Sequence, residues 1–116
     1  MFVAEKKLIH VTSTSDIPNT GFSFEVKNRK IALYMIKDKV YALDDRCTHM
    51  RIQMTKGFRN GDIIGCPVHG ALFDIATGKV LQAPAYRDIP TFDVIVKNGE
   101  VYFDTDQIVD APELKF

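Results

Sequence analysis

Sulfur and imidazole carry the chemistry of this chain. Its only two cysteines stand in Cys47-Thr48-His49 and Cys66-Pro67-Val68-His69, so two of its three histidines fall within three positions of a cysteine. Such pairs have three uses: inert core thiols, a disulfide, or metal ligation. A disulfide would leave both neighbouring imidazoles without a role, and a reducing compartment disfavours it. Zinc usually draws ligand pairs from spacings such as C-x2-C or H-x3-H, because two side chains must converge on one ion with bonds of about 2.0–2.3 Å. Cys47 and His49 are two apart. In an extended loop such a pair points roughly one way and does not close easily on a single small ion, but it can address two atoms of a larger body. A two-iron cluster is such a body. If each loop gives a thiolate to one iron and an imidazole to the other, the cysteines share one iron and the histidines the other.

The doubled motif, C-x-H, sixteen intervening residues and then C-x2-H, is followed by Gly70, Phe73, Asp74 and the Thr77-Gly78 pair. It resembles the Rieske family, and more narrowly the small Rieske-type ferredoxins that feed electrons to bacterial aromatic-ring dioxygenases. The similarity spans roughly Ile31 to Asp104. The resemblance implies that Cys47, His49, Cys66 and His69 hold one 2Fe-2S cluster per chain, the cysteines on a buried iron and the histidines on an outer iron that faces the partner. It implies stacked antiparallel sheets with the cluster loops as a subdomain at one end. It also implies a one-electron carrier, reduced by a flavin-dependent NAD(P)H reductase and oxidised by a terminal Rieske oxygenase. Such a carrier transforms no substrate and is not an enzyme. The chain has neither a second His/His/carboxylate site nor the length to hold one, which excludes the oxygenase subunit. Two other readings stand beside the carrier: a Rieske-like small subunit held in a larger reductase complex, and a zinc-binding structural domain. Ala83-Pro84-Ala85 matches the family's proline-containing loop over the cluster. Gly70 reads both as a turn and as a point of backbone approach to the cluster, whereas Gly57, Gly61 and Gly65 read as turn punctuation.

Rieske potentials span roughly −150 to +300 mV, so groups around the cluster must set the value. High-potential members of the cytochrome bc type add a disulfide between the cluster loops and two hydroxyl donors to cluster sulfur. The matching positions here are Ile52 and Val68 for the disulfide and Ala71 and Phe73 for the hydroxyls. All four groups are absent, which predicts a potential at the bottom of the range. Arg51 departs from the glycine usual in the family, and a cation there would favour the reduced form. Between Arg46 and Gly61 lie Arg46, Arg51, Lys56 and Arg59, with Asp104, Asp106, Asp110 and Glu113 acidic near the C-terminus. The basic loop is expected to dock an acidic rim on a redox partner. His10 reads as a strand histidine with no ligand role, and Met50 and Met54 as loop packing.

The elements that position these loops read as short strands. Residues 31–37 and 40–44 form a hairpin through Asp38-Lys39, ending at Cys47, and residues 92–97 and 100–104 a second through Asn98-Gly99, a dipeptide suited to a type I′ turn. Strands over 62–65 and 71–74 bracket the second ligand pair, and 2–11 and 22–27 supply others. No amphipathic helix is evident. The fold expected is therefore an all-β sandwich or barrel, one domain over 1–104 with its cluster-binding part at about 45–85, and a tail over 105–116. A length of 116 residues permits one domain, and 46% hydrophobic against 26% charged residues excludes disorder. Fifteen basic residues against fifteen acidic remove the electrostatic case for nucleic acid. No apolar run reaches the ~20 residues of a membrane span, and the N-terminus interleaves charge where a secretory segment would be apolar, so a cytoplasmic, monomeric protein is expected.

Overall fold

A computed structural model describes residues 7–48, 52–68, 70–85 and 87–108. Its strands are β1 (Leu8–Ser13), β2 (Phe22–Val26), β3 (Arg29–Ile36), β4 (Lys39–Asp44), β5 (Phe58–Asn60), β6 (Ile63–Gly65), β7 (Leu72–Asp74), β8 (Val80–Gln82), β9 (Thr91–Phe92), β10 (Val94–Lys97) and β11 (Glu100–Asp104). Three short 3-10 turns cover Thr14–Asp16, Met54–Lys56 and Thr105–Gln107. The all-β architecture expected from the sequence is what forms, and among the described residues no helix is long and apolar enough to cross a membrane.

The strands make three antiparallel sheets in the orders β1-β11-β10, β2-β3-β4-β9 and β5-β6-β7-β8. The second sheet is the middle layer. Along β3, Ile31 and Leu33 enter one core with Val101 and Phe103 of β11, while Ala32 and Tyr34 enter another with Ile64 and Phe73 of β6 and β7. Successive strand residues point to opposite faces, so a strand covered on both sides reads as an unbroken apolar run, and Ile31 through Tyr34 is such a run. Both cysteines lie in the core shared with the third sheet.

Several boundaries differ from the sequence expectation. Ile36 pairs with Lys39, so the first hairpin turns through Lys37-Asp38, one residue early, with Lys37 at φ +55°. Asn98 and Gly99 both take positive φ, as a type I′ turn requires. Thr91 and Phe92 leave that hairpin to pair with β4. Strands β5 and β8 are too short for alternation to mark them. The chain does not become a tail at residue 105: the Thr105–Gln107 turn follows β11 directly, and Ile108 is buried against the first two sheets. Residues 109–116 and 1–6, with Asp110, Glu113 and the start of the expected first strand, lie outside the described residues.

Candidate metal centre

Two loops of like construction leave the sheets. Strand β4 ends at Asp44, and Asp45 and Arg46 lead to Cys47, whose backbone N–H donates to the Ile52 carbonyl at 2.9 Å. Strand β6 ends at Gly65 and delivers Cys66, whose N–H donates to the Ala71 carbonyl at 2.8 Å. Each loop is thus closed on its own cysteine by a bond to the residue five positions on. His49 falls within the first closure and His69 within the second by sequence, and both lie outside the described residues, as do Met50 and Arg51. Gly70 turns the second loop at φ +73°, with nothing within 4 Å of the place a Cβ would occupy.

Cys47 and Cys66 are buried in one apolar cluster with Ala71, Phe73 and Ala85, and neither forms a disulfide. Two thiols fixed this way, each with an imidazole two or three residues further along, are a donor set that fits a 2Fe-2S cluster and leave no reason for a disulfide. Ala71 and Phe73 are fully buried beside the thiols, and neither offers a hydroxyl.

A third segment, from Gln82 at the end of β8 to Asp88 with residue 86 outside the described residues, is tied to both. The Thr48 hydroxyl donates to the Arg87 carbonyl at 2.6 Å, and the Gln82 side-chain amide donates to the Gly70 carbonyl at 3.1 Å. Ala85 packs into the cysteine cluster, so Ala83-Pro84-Ala85 lies against these loops. Below them, Gly57 ends the Met54–Lys56 turn, its N–H donating to the Met54 carbonyl at 2.9 Å, whereas Gly65 is the last residue of β6 and not a turn residue; both are points of close contact. A Cβ on Gly57 would stand 2.0 Å from the Gly65 carbonyl oxygen, and one on Gly65 would stand 2.1 Å from the Phe58 ring. Only Gly61, at φ +62° with open space around it, is the plain turn glycine expected.

Charge near the first loop is largely spoken for. Buried Asp44 pairs with Arg29 and, at 3.2 Å, with the Arg46 Nε. Arg59 is not a free docking cation: it donates to the carbonyls of Gly61, Asn19 and Met35 and lies 6.0 Å from the Tyr34 ring centre. Burial, and then the Asp45 charge, hold the Tyr34 hydroxyl protonated far above the usual phenol range. Lys56 is exposed. His10 is on β1, bonded to Glu100 at 2.6 Å, in line with its reading as a strand residue, and Met54 is core. Sequence reasoning missed Asp45, Thr48, Thr55 and Gln82. Asp45 sits in an Asp-Asp-Arg run that looks like solvated surface, Thr55 meets it only through the folding of the first loop on itself, and the contacts of Thr48 and Gln82 cross between separate loops.

Comparison with known proteins follows the same lines. Residues 7–93 match the Rieske [2Fe-2S] domain. The ferredoxin component of the naphthalene 1,2-dioxygenase/salicylate 5-hydroxylase systems of Ralstonia sp is 38% identical over 94 residues, 80% of this chain and 90% of the relative. That of the naphthalene 1,2-dioxygenase system of Pseudomonas putida is 36% identical, covering 84% and 95%. Among solved structures, a chain in the complex of reduced oxygenase and oxidized ferredoxin in carbazole 1,9a-dioxygenase superposes with a TM-score of 0.78 at 34% identity, covering 87% of this chain and 95% of that one. The Sphingomonas yanoikuyae B1 ferredoxin gives 0.78 at 30%, covering 86% and 98%.

Proposed function

Because the chain belongs to the Rieske 2Fe-2S domain family, we propose that it is the ferredoxin component of a multicomponent oxygenase system, carrying single electrons and catalysing no reaction itself. The observation that carries this reading is the pair of like-built loops, each holding a buried thiol of one core at its head. Cys47 and Cys66 would hold the cluster through sulfur, and His49 and His69 through ring nitrogens. The cluster supplies uptake and release of one electron. The chain's own part is to keep that event from rearranging anything: the closing bonds of the two loops fix the cysteines, Ala71, Phe73 and Ala85 exclude water around the sulfurs, and Thr48 and Gln82 hold the third segment down.

The electron donor in this reading is a flavin-dependent NAD(P)H reductase and the acceptor a terminal Rieske oxygenase, with the carrier cytoplasmic and monomeric so that it can shuttle between them. Purified protein should be red-brown, hold two irons and two acid-labile sulfides per chain, and show a low-average-g electron paramagnetic resonance signal after dithionite. Zinc without sulfide would sink the reading. Coelution with a reductase subunit on gel filtration would favour the locked subunit instead. Partner contact has a physical support in a groove of about 490 Å³ beside the first loop, whose charged lining is three basic residues, Lys30, Arg46 and Lys56, against two acidic ones, Glu25 and Asp45. Ion pairing there is screened within about 8 Å at physiological salt, so transfer rates to the acceptor should fall several-fold, about 3–10-fold, from low to high ionic strength. Stopped-flow rates that stay flat would remove the electrostatic contact.

A further inference from the structure

Asp45 is fully buried two positions before Cys47. Its Oδ1 accepts the Thr55 backbone N–H at 2.8 Å, and its Oδ2 accepts the Thr55 hydroxyl at 2.8 Å. Its own N–H donates to the Lys30 carbonyl at 2.9 Å, pinning it to β3. One carboxylate therefore closes the segment 45–55, which contains Cys47, His49 and the Cys47-to-Ile52 bond. The direction of these bonds is set from outside. The Lys30 ammonium, which can only donate, reaches Gln53 Oε1 at 3.3 Å, so the Gln53 amide nitrogen faces Thr55 Oγ1, at 2.9 Å. The Thr55 hydroxyl, receiving that bond, turns its proton to Asp45. Every donor in the chain points inward, toward an acceptor-only anion.

We propose that Asp45 is a positioning residue for the cluster: latched by Thr55, it sets the shape of the first ligand loop, and its fixed negative charge holds the reduction potential down. The charge acts through space on an electron added nearby, in a medium where water screens little. The latch acts through the loop, by limiting where Cys47 can stand. This inference rests on the chain holding a 2Fe-2S cluster, and the two fail differently: without iron and sulfide in the wild type the carrier reading falls, whereas a loaded wild type with unresponsive variants defeats Asp45 alone.

The test uses cluster-loaded protein, protein-film voltammetry and electron paramagnetic resonance of the reduced state. Asp45→Asn removes the charge but also turns one acceptor into a donor facing Thr55 Oγ1, so it is read against Thr55→Val, which loses that bond and keeps the charge; relative to Thr55→Val it should favour electron uptake by about tenfold, which is about 59 mV for one electron. Thr55→Val removes one latch bond and should broaden the g-values, while Thr55→Ser, which retains both bonds, should restore the wild-type signal. Ile108→Ala, in the core that lacks the cysteines, is the control for general destabilisation. A potential in Asp45→Asn no higher than in Thr55→Val, or an equal shift in Ile108→Ala, would overturn the charge effect. Should Asp45→Asn fail to fold, the threonine pair still decides: a Thr55→Val signal identical to wild type would overturn the positioning.

Discussion

At Ala71 and Phe73 the chain places a methyl and a phenyl group, both fully buried beside the thiols, where high-potential relatives carry hydroxyls. A donor to cluster sulfur stabilises the more negative reduced state, and a hydrogen bond to a charged acceptor is worth ~1.5–3 kcal/mol. On the one-electron scale of 59 mV per tenfold, Ala71→Ser and Phe73→Tyr should therefore each raise the potential, by about 65–130 mV at most, read by voltammetry. Tyr34 offers a different test. Its hydroxyl is buried with no partner among the described residues, and burial pushes its ionisation upward. The unfolded chain releases this proton near pH 10 while the folded chain keeps it, so stability present below about pH 10 is lost as pH rises beyond it. Tyr34→Phe should move the alkaline unfolding midpoint to higher pH. At neutral pH it should leave stability unchanged or raise it by about 1–2 kcal/mol, measured by urea unfolding.

Among the elements, β5 and β6 meet where Gly57, Phe58 and Gly65 share space, and the three residues respond differently to substitution. Phe58 pairs with Gly65 across the strands and is half exposed, so its ring can swing outward from an added methyl. The Gly65 carbonyl facing Gly57 is backbone and cannot yield without moving Cys66. Gly57→Ala should cost about 2–4 kcal/mol and weaken cluster retention, and Gly65→Ala about 1 kcal/mol or less, compared by thermal unfolding of the loaded protein. The hairpins were readable because turn chemistry is local: Asn98-Gly99 announces its own φ values. The first hairpin slipped by one residue because Lys37 takes a left-handed conformation without any residue type that advertises it. Strands β5 and β8, of three residues each, are held by their neighbours in the sheet rather than by their own pattern.

Among the described residues, three sheets enclose two cores, and the cysteines lie in one of them. Removing the cluster should therefore loosen the molecule unevenly. In the apoprotein, amides of β6 and β7 should lose protection by on the order of a hundredfold while β10 and β11 keep theirs, followed by hydrogen exchange; uniform loss would mean the two cores fold as one. The amino-acid sequence by itself pointed to the ligand chemistry proposed here, since two Cys-His pairs at unlike short spacings suit two irons better than one ion, and it settled the strand-rich class, since alternation and turn residues act over a few positions. Tertiary structure alone decided that Arg59 braces backbone carbonyls instead of awaiting a partner, that Gly57 is a crossing point, that Ile108 is core, and that Asp45 latches the first loop. Those facts depend on which distant atoms arrive at the same place, and a residue's type carries no record of that.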